Sequence, residues 1–313
     1  MQKAITPLVD EPKPAPAADG ADALPARRPD KAEACTTAFG CPREFLDNRF
    51  VYVVISARAR GLSIGVNLNP DKGCNFDCAY CEVNRQLPAR ESTLDVDVMA
   101  SELEETLAMA HAGQLRYNPT YRNVPAELLR LRHVTLSGDG EPTLSPNFVD
   151  AVHAVVHVRA LGRFPFFKLV LITNAIGLDL PQVQQGLKFF TAQDEVWAKL
   201  DAGTQAYMNR VNRPDCSLEK VLQNILLVAR QRPVVIQSLF PALNGLEPPP
   251  GEIDEYVKRL NELKNGGAQI PLVQIYSATR PTPHSECGHL SLKSLSRIAQ
   301  AVRISTGLTA EVF

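Results

Sequence analysis

The sequence predicts an α/β protein built on a mostly parallel sheet, and three observations predict it. Short apolar runs alternate with helical patterns from about residue 60 onward, two of the runs carry polar residues on one face, and a cysteine-rich and a glycine-rich loop each follow a run directly. The candidate strands are 63–68, 133–137, 168–173, 195–201, 234–240 and 272–277. Helical stretches lie between them, at 96–110 (Leu103, Leu107 and Ala110 on one stripe), 148–160 and 218–230. A helical stretch at 292–304 and a short run at 308–313 follow the sixth strand. Such alternation fits both a six-stranded open barrel and a doubly wound open sheet. The strand faces favour the barrel. In the fourth strand Glu195, Trp197, Lys199 and Asp201 share one face, opposite Val196, Ala198 and Leu200; in the sixth, Gln274 and Tyr276 oppose Val273 and Ile275. A sheet covered by helices on both faces reads as nearly continuous apolar sequence, so the polar face is assigned to a partly solvated substrate lumen.

At 313 residues with 45% hydrophobic content, the chain can bury one large barrel core. Its net charge of −1 gives no global attraction to a polyanion or a membrane surface. No apolar run reaches the roughly 18–20 residues that span a bilayer. Residues 1–35 are rich in alanine and proline without apolar periodicity, which predicts a disordered leader. This stretch lacks the apolar core of a secretory signal, and its acidic residues (Asp10, Glu11, Asp19, Asp22) disfavour a transit peptide. The expected organisation is therefore a leader at 1–35, an N-terminal extension at 36–60 and a barrel domain at 61–313, in a cytoplasmic protein.

Seven cysteines in a large chain without an export signal read as thiols or metal ligands rather than disulfides. Cys74, Cys78 and Cys81 stand in a C-x3-C-x2-C arrangement just after the first strand. Thiolates at this spacing can converge on three corners of an iron–sulfur cubane, leaving one iron open to an outside ligand. Structural zinc commonly takes two pairs of ligands, and no matching second pair follows.

This arrangement is the signature of the radical S-adenosylmethionine (SAM) superfamily, and the resemblance extends over about residues 50–313. Tyr80 occupies the aromatic position before the third cysteine. The run Ser137-Gly-Asp-Gly-Glu-Pro-Thr-Leu144 resembles the family's Gly-Gly-Glu-Pro motif, with Asp139 in place of the first glycine and Gly140 and Glu141 matching the rest. Together with residues 63–70 and Lys199-Leu-Asp-Ala202, these segments look like the branch of wyosine-type tRNA base-modifying synthases. The resemblance implies a partial (β/α)6 barrel, a [4Fe–4S] cluster on Cys74, Cys78 and Cys81, and SAM at the carboxyl ends of the strands. It implies that Glu141 receives the SAM ammonium, that Tyr80 lies near the adenine, and that Thr173, Asn174 and Asp201 contact ribose and carboxylate. It further implies an oxidoreductase-type reaction fed by a one-electron donor such as flavodoxin or ferredoxin, with a tRNA or other RNA base as the leading substrate class. A glycyl-radical activase and a non-enzymatic iron–sulfur protein are the alternatives.

Lys199 and Asp201 are the catalytic candidates. A desolvated lysine can serve as a Schiff-base amine, although a salt bridge to Asp201 is the preferred reading. Cys35 and Cys41 are too few for a second cluster. His284, Cys287 and His289 read as a polar loop before a metal site, and Cys216 precedes a helix that Ser217 caps. Arg116-Tyr117 and Tyr121-Arg122 interleave base and aromatic, but on the barrel end away from SAM. Arg210, Arg213 and Arg280 lie on the productive side, where they could grip an anionic substrate.

Overall fold

The computed structural model describes residues 45–280 and 282–313; the expected leader, Cys35 and Cys41 lie outside them. The chain runs β1 (Val51–Ser56), β2 (Gly61–Asn67), α1 (Val96–His111), β3 (Leu131–Ser137), α2 (Phe148–Ala160), β4 (Lys168–Thr173), α3 (Pro181–Leu187), β5 (Glu195–Lys199) and α4 (Gln205–Val211). It continues through α5 (Leu218–Ala229), β6 (Val234–Leu239), β7 (Pro241–Leu243), α6 (Pro250–Asn265), β8 (Val273–Tyr276), β9 (Cys287–His289), α7 (Leu292–Thr306) and β10 (Ala310–Val312). Eight strands form one curled, open half-barrel sheet in the order β1-β2-β3-β4-β5-β6-β8-β10. From β2 onward the pairs are parallel, while β1 adds to β2 antiparallel and β7 pairs with β9 as a separate two-stranded ribbon.

The six expected strands are β2, β3, β4, β5, β6 and β8. The fourth ends at Lys199, so Asp201 stands just beyond it, at the carboxyl end of the sheet. Two strands are added at the edges. β1 comes from the stretch expected to be an N-terminal extension, and β10 from the last apolar run.

Local chemistry sets the element ends. Asp95, Ser217 and Ser291 accept the backbone N–H groups of Val98, Lys220 and Ser294 at the starts of α1, α5 and α7. Gly307, at φ +70°, ends α7 in the left-handed conformation that glycine tolerates best. The main core lies between the outer sheet face and the helices, where Leu169 and Leu171 of β4 pack with residues such as Phe148 and Val152 of α2. The alternate residues face inward, and Val170, Trp197 and Val235 make a separate small apolar cluster there.

One buried ion pair ties α2 to the start of β5. Arg159 donates to both oxygens of Asp194 at 2.6 and 3.0 Å, and Asp194 also accepts from the N–H groups of Leu169 and Thr191, each at 2.7 Å. Burial alone would raise this carboxyl, but Arg159 and the backbone donors outweigh it and hold Asp194 below the ordinary value of 3.8. A carboxyl depressed in the folded state stabilises the fold above its unfolded pKa, and that contribution fades as pH falls through the folded pKa. Arg159→Met is expected to cost about 3–5 kcal/mol in urea titrations at pH 7, because it leaves a buried charge without its partner. The gap between wild type and variant should narrow below about pH 4.

Candidate active site

The cysteine loop leaves β2 at the carboxyl end of the sheet and is moulded against the end of α4. The N–H groups of Asp77 and Ala79 donate to the carbonyls of Asn212 (3.1 Å) and Val211 (2.7 Å), and Phe76, 6% exposed, forms a β-bridge with Pro214. Cys81 closes a tight turn by donating to the Cys78 carbonyl at 2.9 Å. Cys74, Cys78 and Cys81 are free and half-buried. Burial pushes the Cys74 thiol up to about 11 and the Cys78 thiol up to about 12.

The glycine-rich loop after β3 is stitched to this one. The Glu141 N–H donates to the Gly73 carbonyl at 3.0 Å, and a Cβ on Gly140 would stand 1.9 Å from that same oxygen. Only glycine allows the two loops to lie this close. Asn67 and Asp139 bond reciprocally: the Asn67 amide donates to Asp139 Oδ2 (2.8 Å), and Asp139 N–H donates to Asn67 Oδ1 (3.0 Å). Glu141 is 3% exposed, and its two oxygens take four donors. They are Thr143 N–H (3.1 Å), Thr143 Oγ1 (2.6 Å), Thr173 Oγ1 (2.5 Å) and Asn174 N–H (2.7 Å). Burial outweighs these bonds and raises the Glu141 pKa. The Asn174 amide reaches on to Asn75 Oδ1 at 2.9 Å, so Glu141, Thr173 and Asn174 brace the cysteine loop as one network.

A second network surrounds Cys78. Asp201, 3% exposed, accepts from the Tyr80 hydroxyl, from the Asn212 amide (2.7 Å) and from Leu239 N–H (2.8 Å), and it pairs with Lys199 Nζ at 3.3 Å. Asn212 also donates to Cys78 Sγ at 3.5 Å and to the Tyr80 oxygen at 3.1 Å. Lys199 donates to the Tyr276 hydroxyl at 3.2 Å and lies 4.8 Å from the Tyr80 ring centroid. Burial alone would lower the Lys199 pKa, but Asp201 more than offsets it, and the ammonium is held charged. Burial, reinforced by Asp201, raises Tyr80. Asn212 was missed by sequence reasoning. It follows a short helix with no motif around it, and only its place in space links Cys78, Tyr80 and Asp201.

A family profile described as the Radical SAM superfamily matches residues 68–263, more than half of the chain. The chain belongs to the radical SAM superfamily. Among curated relatives, UPF0026 proteins of Helicobacter pylori strains J99 and 26695 are 29% and 31% identical over 183 and 181 residues, each match covering 56% of this chain. The chain spans about half the length of these relatives. Among solved structures, a radical SAM methyltransferase from Sphaerobacter thermophilus superposes with a TM-score of 0.56 at 16% identity, over 84% of this chain and 68% of that one. Streptococcus suis SuiB bound to S-adenosylmethionine gives 0.54 at 15%, over 82% and 52%. TYW1 with a lysine–pyruvate adduct gives 0.52 at 15%, over 82% and 84%. At these identities the shared property is the fold.

Membership of the radical SAM superfamily carries a [4Fe–4S] cluster and SAM as cofactors. The donor set here fits a cluster better than a single ion. Three thiols lie on one short loop, whereas structural zinc takes four protein ligands; a cubane gives each of three thiolates its own iron and leaves the fourth iron open. Cys287 and His289 are the first and last residues of β9, and the His284 carbonyl just before it accepts from the Cys287 N–H at 3.2 Å.

Two of the arginines expected to grip substrate are already engaged. Arg213 pairs with Glu286 at 2.5 Å and Arg280 with Glu82 at 3.1 Å, so both tie the β9 segment and its approach to the site loops. Arg210 sits exposed in the last turn of α4. Cys216 precedes the Ser217 cap as expected, and Arg116 and Tyr117 line a groove of about 610 Å³ at the amino-terminal end of the parallel strands.

Proposed function

We propose that this chain is a radical SAM enzyme that holds its [4Fe–4S] cluster on Cys74, Cys78 and Cys81 and acts on a nucleic-acid base, a tRNA base being the leading class. The observation that carries the reading is the convergence of the cysteine loop, Glu141 and Asp201 at the carboxyl ends of the strands, where parallel α/β sheets place their ligands. When bound, the cluster supplies the electron that splits SAM into methionine and a 5′-deoxyadenosyl radical able to take hydrogen from a substrate. The protein's own part is positioning. Gly73 and Gly140 hold two loops at backbone distance, Glu141 and Asn174 brace Cys74 and its neighbours, and Asn212 fixes Cys78 and Tyr80. Tyr80 and the rim of the glycine-rich loop face the place assigned to SAM, with Glu141 behind them as a negative charge for its ammonium.

The resemblance to the wyosine-type branch and the fold shared with TYW1 support the tRNA reading. The lysine–pyruvate adduct in that TYW1 structure raises the question of whether Lys199 acts as an amine here; its Asp201 partner favours an electrostatic role instead. The electron donor is a flavodoxin or ferredoxin type of protein. Among the described residues no helix is long and apolar enough to cross a membrane.

A base-modifying enzyme must hold its target unstacked, which costs a few kcal/mol in a duplex and less in a loop. A deletion strain is therefore expected to show an altered nucleoside in digested tRNA or rRNA by mass spectrometry. The wild-type gene should restore it and a Cys78→Ala gene should not. An unchanged nucleoside profile would refute the RNA reading and leave a small metabolite or a partner protein as substrate.

A further inference from the structure

The charges inside the lumen do not cancel. Lys168 pairs with Glu195 at 2.5 Å, and Trp197 Nε1 donates to the other Glu195 oxygen at 2.7 Å. Lys199 pairs with Asp201. Arg58 has no such partner. Among the described residues no carboxylate pairs with it, and its Nε is buried without a hydrogen-bond acceptor. Its guanidinium instead lies 4.2 Å from the centroid of the Tyr276 ring, the same ring whose hydroxyl accepts from Lys199.

Arg58 is held there by its turn. Residues 57–60 join β1 to β2, with Ala59 N–H donating to Ser56 Oγ (3.2 Å) and Arg60 N–H to the Ala57 carbonyl (3.0 Å). Arg60 adopts φ +55°, its carbonyl accepts from Arg132 Nε at 3.1 Å, and its guanidinium pairs with Glu311 of β10 at 2.6 Å. The hairpin from one edge of the sheet thus reaches the strands of the other edge, and it carries Arg58 across the open side of the half-barrel to Tyr276. Next to it, His133 stacks edge-on against Trp197 at 5.3 Å. Burial, with the charges of Lys168 and Arg58, lowers His133 to about 3, so the histidine stays neutral and adds no second positive charge beside Arg58.

We propose that Arg58 anchors an oxyanion of the substrate, a carboxylate or a phosphate, inside the lumen. A guanidinium held against an aromatic ring presents a planar fork of N–H groups, the geometry that matches two oxygens of such a group. A buried N–H without an acceptor destabilises the ligand-free protein and favours any ligand that supplies one. The inference rests on reading the lumen as the substrate chamber.

Trp197 is the sole tryptophan of the chain, so its emission reports on the lumen. Anaerobically reconstituted protein is titrated at constant ionic strength with inorganic phosphate and, separately, with acetate. A saturable change in Trp197 emission is expected with at least one of them, and the one that binds identifies the oxyanion. Arg58→Gln should raise that dissociation constant at least tenfold. Should the glutamine variant lose its fold by circular dichroism, Arg58→Lys, which keeps the charge without the fork, should still weaken binding severalfold. No saturable response to either anion, or equal affinity in a folded Arg58 variant, overturns the proposal. SAM cleavage by the same wild-type preparation is assayed in parallel, so loss of the anion site and failure of the radical SAM reading give separate results.

Discussion

Replacing Cys74, Cys78 and Cys81 by alanine is expected to abolish both iron binding and SAM cleavage. Wild-type protein reconstituted under anaerobic conditions should bind about four irons per chain, and dithionite with SAM should release 5′-deoxyadenosine. The single Cys78→Ala change should already remove the activity, since each thiol is to hold its own iron. Its fold should survive, because Asp201 retains Tyr80, Lys199 and the Leu239 N–H as partners, and Asn212 keeps Asp201 and Tyr80 as acceptors. Iron content and 5′-deoxyadenosine by chromatography are the measurements. SAM cleavage by a folded triple variant would refute the assignment of the cysteines.

The Glu141→Gln substitution should act on stability and on SAM together. In the amide, one position that now accepts a hydrogen bond becomes a donor, facing either the Asn174 N–H or the threonine donors. A buried donor left without its acceptor costs about 1–3 kcal/mol, a fall of about 2–5 °C in melting temperature for a chain of this size. If Glu141 also attracts the SAM ammonium, affinity for SAM should weaken by about 1.5–3 kcal/mol below the melting range. A variant that melts earlier yet binds SAM with unchanged affinity would confine Glu141 to bracing the loops. The glycine-rich run alone could not have revealed this bracing, because Thr173 and Asn174 enter from another strand.

What could be read from sequence follows from how local each signal is. The cysteine spacing, the glycine-rich run and the alternating face of β5 are written within ten residues each, and the structure brings the two loops and Lys199 and Asp201 to one end of the sheet. β1 was missed as a strand because Val51–Ser56 precedes the βα alternation and pairs antiparallel at an edge, where no crossover helix announces it. Arg213 and Arg280 look like free cations in sequence, yet their partners Glu286 and Glu82 are 73 and 198 residues away. Asn212 takes its meaning from Cys78 and Tyr80, 134 and 132 residues away, and Arg58 from Tyr276 on a distant strand, and neither belongs to a pattern.

Burial keeps the Cys74 and Cys78 thiols protonated at neutral pH. With Cys74 held near 11, the fraction ionised at neutral pH is on the order of one in ten thousand, and Cys78 is lower still. Because the thiolate is the reactive form, Cys74 and Cys78 should resist alkylating agents and oxidants far better than exposed cysteines do. Loading must also release protons, since iron binds the ionised sulfur. On the proposed assignment of the cysteines, cluster assembly is therefore driven forward by alkaline conditions and opposed by acid. Iron uptake is expected to be slower at pH 6 than at pH 8.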